Sequence, residues 1–116
     1  MTPDQYCADK AARSGSSFHY SFRLLDPPRR AAITALYAFC REVDDAVDEV
    51  SDPDLARVKL AWWRTEIDAL FNGSPHHPVT TALLPVVRRY AITEDQLQTV
   101  IDGMQMDLET LRYVDF

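Results

Sequence analysis

The residues best suited to chemistry lie in one run, Tyr37-Ala38-Phe39-Cys40-Arg41-Glu42-Val43-Asp44-Asp45-Ala46-Val47-Asp48-Glu49. At about 100° per residue in a helix, Tyr37, Arg41, Asp44 and Asp48 fall within about 60° of one another and form a polar stripe. Carboxylates four residues apart repel by about 0.2–0.5 kcal/mol, and a bound cation removes that cost. Oxygen-rich sites suit Mg²⁺, which keeps several waters and bridges one or two protein carboxylates to substrate phosphates. Arg41, one turn before Asp44, can add a charge-assisted hydrogen bond to the same phosphate. Charge pattern alone favours a plainer reading, in which Glu42, Asp44, Asp45, Asp48 and Glu49 are a solvated acidic face.

Such a stripe needs a helix, and Arg29 to Val50 is the longest periodic stretch, with Asp26 available as its cap and Ser51-Asp52-Pro53 as its stop. Ile33, Leu36, Cys40, Val43, Val47 and Val50 form its apolar anchor, about a quarter turn from the polar stripe. Within that anchor Cys40 reads as a small buried apolar residue. Upstream, Thr2-Pro3 with Gln5 opens a short helix to about Arg13. Ser14-Gly15-Ser16-Ser17 interrupts it, and Phe18 and Phe22 then share one helical face.

Downstream, Pro53 to Phe71 carries the stripe Leu55, Val58, Trp62, Ile67 and Leu70, which assigns Trp62 to the core, and Asn72-Gly73 supplies a left-handed stop. Val79 to Tyr90 reads as a helix interrupted or kinked near Pro85. Thr93-Glu94-Asp95-Gln96 is a capping box for a last helix whose core stripe is Leu97, Ile101, Met104, Leu108 and Leu111. Met104 and Met106, at helical spacing, read more readily as adaptable core filling than as the border of a lipid-shaped cavity. His76-His77 is a loop pair without a third ligand at metal spacing. There is no useful strand-like alternation, internal repeat or low-complexity segment, so the fold class is all-α.

At 116 residues and 47% hydrophobic content, one core is expected. A net charge of −6 argues against nucleic acid as a partner. Two cysteines, Cys7 and Cys40, do not make a disulfide framework and fit a reducing cytoplasm. Neither a secretory signal nor an apolar run of about 20 residues is present, which leaves peripheral contact with the inner membrane open. Arg29-Arg30 and Arg88-Arg89 read as solvated helix ends.

The run Tyr37 to Glu49 resembles the first aspartate-rich motif of the squalene and phytoene synthase family, with its preceding Tyr-x-x-x-Arg. Ser16-Ser17-Phe18-x-x-x-Phe22, Lys59-Leu60-Ala61-Trp62-Trp63-Arg64, His77-Pro78-Val79, Asp102-Gly103-Met104-x-Met106-Asp107-Leu108-Glu109 and Arg112-Tyr113 extend the resemblance along the chain. It implies the N-terminal portion, residues 1–116, of an isoprenoid synthase helical bundle, ending before the family's second aspartate-rich motif and inactive alone. The local wording is most similar to the bacterial hopanoid-pathway branch, which implies head-to-head condensation of two farnesyl diphosphates to presqualene diphosphate with Mg²⁺ as cofactor. Phytoene synthase and hydroxysqualene synthase chemistry are alternatives, and a non-catalytic helical assembly module is a further one.

By the same resemblance Asp44 and Asp48 ligate the metal, Arg41 binds diphosphate and Asp45 supports them. Ser17, Phe18 and Phe22 belong to the substrate-binding segment, Tyr37 lines the prenyl pocket or steadies a cation, and Asp107 is an acidic position facing the site. Ser14 and Gly15 stand where some members carry His-Ser, so no role is carried over to them.

Overall fold

Short-range caps set the helix boundaries in the computed structural model, which describes residues 1–13, 24–48 and 51–114, with side chains to residue 109. The Gln5 N–H donates to Thr2 Oγ1 at 3.1 Å and the Thr2 N–H to Gln5 Oε1 at 2.8 Å, a reciprocal capping box that opens α1, Pro3–Arg13. The second helix, α2, is Pro27–Asp48, and the Asp26 carbonyl accepts the Arg30 N–H at 2.9 Å. It starts two residues earlier than the expected Arg29, because prolines in a first turn forfeit no helical hydrogen bond.

Asp52 caps α3, Pro53–Phe71, by accepting the Asp54 N–H at 2.9 Å. The stop is the expected one: Gly73 has φ 85°, and the N–H groups of Gly73 and Ser74 donate to Leu70 and Ala69 carbonyls at 3.1 and 2.9 Å. His77 caps α4, Pro78–Arg89, through Nδ1, which accepts the Val79 N–H at 3.0 Å. This helix runs through Pro85 without interruption, with the proline on its exposed face. Ala91, at φ 53°, then turns the chain. A second capping box, Thr93 with Gln96 at 2.9 and 3.2 Å, opens α5, Glu94–Val114. The expected all-α class holds, with no strand among the described residues. No helix among them is long and apolar enough to cross a membrane.

Helix α2 is central and touches all four others. Its buried line is Ala32, Ala35, Ala38, Phe39, Val43 and Ala46, about a quarter turn from the expected anchor. Alanines let neighbouring backbones approach, so the deepest positions go to small residues while Ile33, Leu36 and Val47 are only half-buried at the flank. Cys40 is exposed, which corrects the expectation that it is buried. In α3 the core line is Ala56, Leu60, Trp63, Ile67 and Leu70. Leu55, Val58 and Trp62 lie about a third of a turn away and are 47%, 64% and 47% exposed, so Trp63 and not Trp62 is the core tryptophan. Its ring meets Phe39 edge-on at 5.9 Å. Leu97, Ile101 and Leu108 are buried on α5 as expected, with Met104 packed beside them, whereas Met106 is exposed and fills no core.

One buried carboxylate ties the loop before α4 to α3. Glu66 is 3% exposed and accepts the N–H groups of His76 and His77 at 2.7 and 2.8 Å, His76 Nδ1 at 3.2 Å and the Thr80 hydroxyl. Burial pushes its carboxyl up, but the bonds from Thr80, His77 and His76 outweigh that and hold it below the usual glutamate value. A depressed carboxyl stabilises the fold above its unfolded pKa and loses that contribution as pH falls through its folded value. Glu66→Ala strands these donors and is expected to lower stability by about 3 kcal/mol in urea unfolding. The difference from wild type should shrink below a pH of about 4.3.

Candidate functional site

Helix α2 places its polar stripe on the side away from its buried line. Arg41 Nη1 donates to Asp44 Oδ2 at 2.9 Å and Nη2 to Asp45 Oδ1 at 3.4 Å. Arg41 Nε is out of solvent and has no partner among the described residues. Tyr37, one turn earlier, is half-buried, and Asp48, one turn later, is exposed. The Asp44 carboxyl is held above its usual value, first by burial and then by the charge of Asp48, with Asp45 and Asp107 adding and Arg41 opposing.

Asp107 therefore lies within electrostatic reach of Asp44, although it comes from α5. Two arginines on α3 fix the register of α5. Arg64 bonds Gln98, Asp102 and Gln105 at 3.1, 2.6 and 3.1 Å, and Arg57 bonds Glu109 at 3.0 Å through Nε. These forks hold α5 alongside the bundle with Asp107 near the end of α2.

Asp45 sits about 100° around the helix from Asp44 and turns toward α1 and α3. Lys10 of α1 pairs with its Oδ2 and stands 3.6 Å from Glu42. Tyr6 donates to Glu42 at 2.6 Å, and burial together with that bond pushes the Tyr6 hydroxyl up to about 12. Beside them is an open cavity of about 260 Å³, lined by Lys10, Glu42, Asp45, Lys59, Trp62 and Trp63. The partnership of Lys10 with Asp45 leaves no local sequence signal, since 35 residues separate them.

Arg41, Asp44, Asp48 and Asp107 thus share one electrostatic neighbourhood, and Asp45 bridges it to α1. The expected Ser17, Phe18 and Phe22 lie outside the described residues. His76 and His77 serve the fold: His77 packs against Tyr6 and Trp63 at 5.3 and 4.9 Å between ring centroids. Among the described residues no group of three or more His, Cys, Asp and Glu is placed to hold a metal. Burial, then Asp4 and Glu42, push the Cys7 thiol up to about 12, so it is not a poised nucleophile.

Residues 11–116 match the model of the squalene/phytoene synthase family. The chain belongs to the squalene/phytoene synthase family. It is 33% identical over 110 residues to phytoene synthase 1, chloroplastic, of Arabidopsis thaliana, covering 95% of this chain and 26% of that protein. To phytoene synthase 2, chloroplastic, of Solanum lycopersicum it is 31% identical, covering 95% of this chain and 36% of that protein. To the presqualene diphosphate synthase of Rhodopseudomonas palustris it is 33% identical over 108 residues, covering 93% of this chain and 38% of that protein. The chain thus spans well under half the length of these relatives. No solved structure matches it. Members of the squalene/phytoene synthase family are prenyltransferases acting on prenyl diphosphates.

A raised carboxyl costs stability at neutral pH, and the cost is relieved as pH falls through the raised value. In carboxyl NMR titrations, Asp48→Asn should lower the Asp44 pKa, Asp107→Asn should lower it by less, and Arg41→Met should raise it. No movement of Asp44 in all three variants contradicts this electrostatic neighbourhood.

Proposed function

We propose that this chain is the diphosphate-binding portion of an enzyme that condenses two farnesyl diphosphates head to head into presqualene diphosphate. The observation that carries the reading is the grouping of Arg41, Asp44 and Asp48 on one side of α2, with Asp44 held above its usual value first by burial and then by the surrounding carboxylates. A divalent cation held by Asp44 and Asp48 would relieve that surplus of negative charge. Asp44 and Asp48 offer the hard oxygen donors that Mg²⁺ prefers, and two carboxylates leave its other positions to water and phosphate oxygens. The donor set therefore fits Mg²⁺ held against a diphosphate. Bound there, Mg²⁺ would offset the charge that develops on the departing diphosphate.

The chain's own side chains supply the rest. Arg41 trades its bond to Asp44 for a charge-assisted bond to a phosphate oxygen. Asp107 approaches from α5 and adds a carboxylate to the same surface. Tyr37, half-buried one turn before Arg41, presents an aromatic ring beside the leaving group, where an allylic cation is attracted to a π face. Lodged in a water-excluding pocket, such a cation is spared capture by solvent.

In the intact protein, Asp44→Ala and Asp48→Ala are each expected to cut Mg²⁺-dependent diphosphate release from farnesyl diphosphate by at least about 100-fold. Turnover near the wild-type rate in both variants contradicts the assignment. Phytoene synthase chemistry is the second reading, kept open by the equal 33% identity to the Arabidopsis thaliana phytoene synthase 1 and to the Rhodopseudomonas palustris presqualene diphosphate synthase. Mass analysis of products from mixed farnesyl and geranylgeranyl diphosphates separates the two: presqualene diphosphate supports the first, and a product that joins two geranylgeranyl chains supports the second. A protein that binds no diphosphate in Mg²⁺ is instead a helical assembly module of the same fold.

A further inference from the structure

Four charged groups alternate in sign from α1 to the end of α2. Lys10 pairs with one oxygen of Asp45, the other oxygen of Asp45 accepts from Arg41 at 3.4 Å, and Arg41 reaches Asp44 at 2.9 Å. Lys10 and Asp45 side chains are 20% and 15% exposed, so solvent and salt screen them less than a surface pair. Lys10 is itself steadied by Glu42, which Tyr6 holds by a hydrogen bond of 2.6 Å.

Arg41 has two carboxylates within reach, three and four residues along its own helix. Lys10 neutralises the second of them, and the guanidinium stands closer to the first. Without Lys10, Asp45 would be a shielded carboxylate with Arg41 as its remaining cation within the chain of pairs. The guanidinium would then close on Asp45 and swing around the helix, away from Asp44 and Asp48.

We propose that Lys10 is a positioning residue of the diphosphate site: by neutralising Asp45 it keeps Arg41 beside Asp44 and free to exchange onto a phosphate. The proposal rests on the reading of Arg41, Asp44 and Asp48 given above. It assigns to α1 a part in binding that no contact between Lys10 and the ligand requires.

The test is calorimetric binding of inorganic pyrophosphate in Mg²⁺ to the intact protein, with thermal unfolding measured in parallel. Lys10→Met is expected to weaken binding about tenfold. Lys10→Arg should preserve it, and Lys10→Met combined with Asp45→Asn should regain most of the loss, because the uncompensated carboxylate is gone. Should Lys10→Met fail to fold, Lys10→Gln is read in its place. Wild-type affinity in the Lys10 variant, with binding abolished by Arg41→Met, overturns the positioning role and leaves the diphosphate reading intact. A loss that Asp45→Asn does not reverse overturns it too, since a purely structural defect behaves that way. Unchanged binding in both Arg41→Met and Asp44→Asn overturns the diphosphate reading itself.

Discussion

Four carboxylates on two turns of one helix repel one another, and the pitch of the helix decides how that repulsion is distributed. Glu42 and Asp45 point toward α1 and α3, where Lys10 and the Tyr6 hydroxyl meet them. Asp44 and Asp48 are left on the other side with Arg41, and Asp107 adds to their charge from α5. One flank is thus compensated within the protein and the other keeps a surplus of negative charge. That surplus is locally unfavourable, and in a folded protein such a cost is commonest where a ligand relieves it.

The remaining architecture holds this division in place. Alanines at 32, 35, 38 and 46 let α2 sit centrally, with Phe39 and Val43 filling the space between helices. Arg57 and Arg64 bind α5 to α3 and so set how far along the bundle Asp107 lies. Glu66 anchors the loop ahead of α4, and His77 joins that loop to the rings of Tyr6 and Trp63 beside Lys10. Packing around α1, α3 and α4 therefore bears on the charge arrangement at the end of α2.

Much of this was legible in the sequence, and the successes share a cause. Thr2 with Gln5, Thr93 with Gln96, and Asn72-Gly73 act over a few residues, so their geometry is local and readable. The polar stripe of Arg41, Asp44 and Asp48 follows equally from helical pitch. What failed depends on which neighbours surround a helix. Hydrophobic bulk pointed to Trp62, Leu55 and Val58, yet the alanine- and leucine-bearing face with Trp63 meets the partner helices. Cys40 failed likewise, because the deepest line of α2 runs through alanines. The compensation of Asp45 by Lys10, and of Glu66 by the loop at 76–77, spans too many residues for any local pattern to announce it.

The central claim is that the flank of α2 with the surplus of negative charge receives a divalent cation together with a diphosphate. Anomalous scattering from crystals of the intact protein soaked with Mn²⁺ and inorganic pyrophosphate tests it most directly. The account predicts a metal peak in contact with Asp44 and Asp48, with Arg41 turned from Asp44 onto a phosphate oxygen. A metal bound elsewhere, with Arg41 still paired to Asp44, contradicts it.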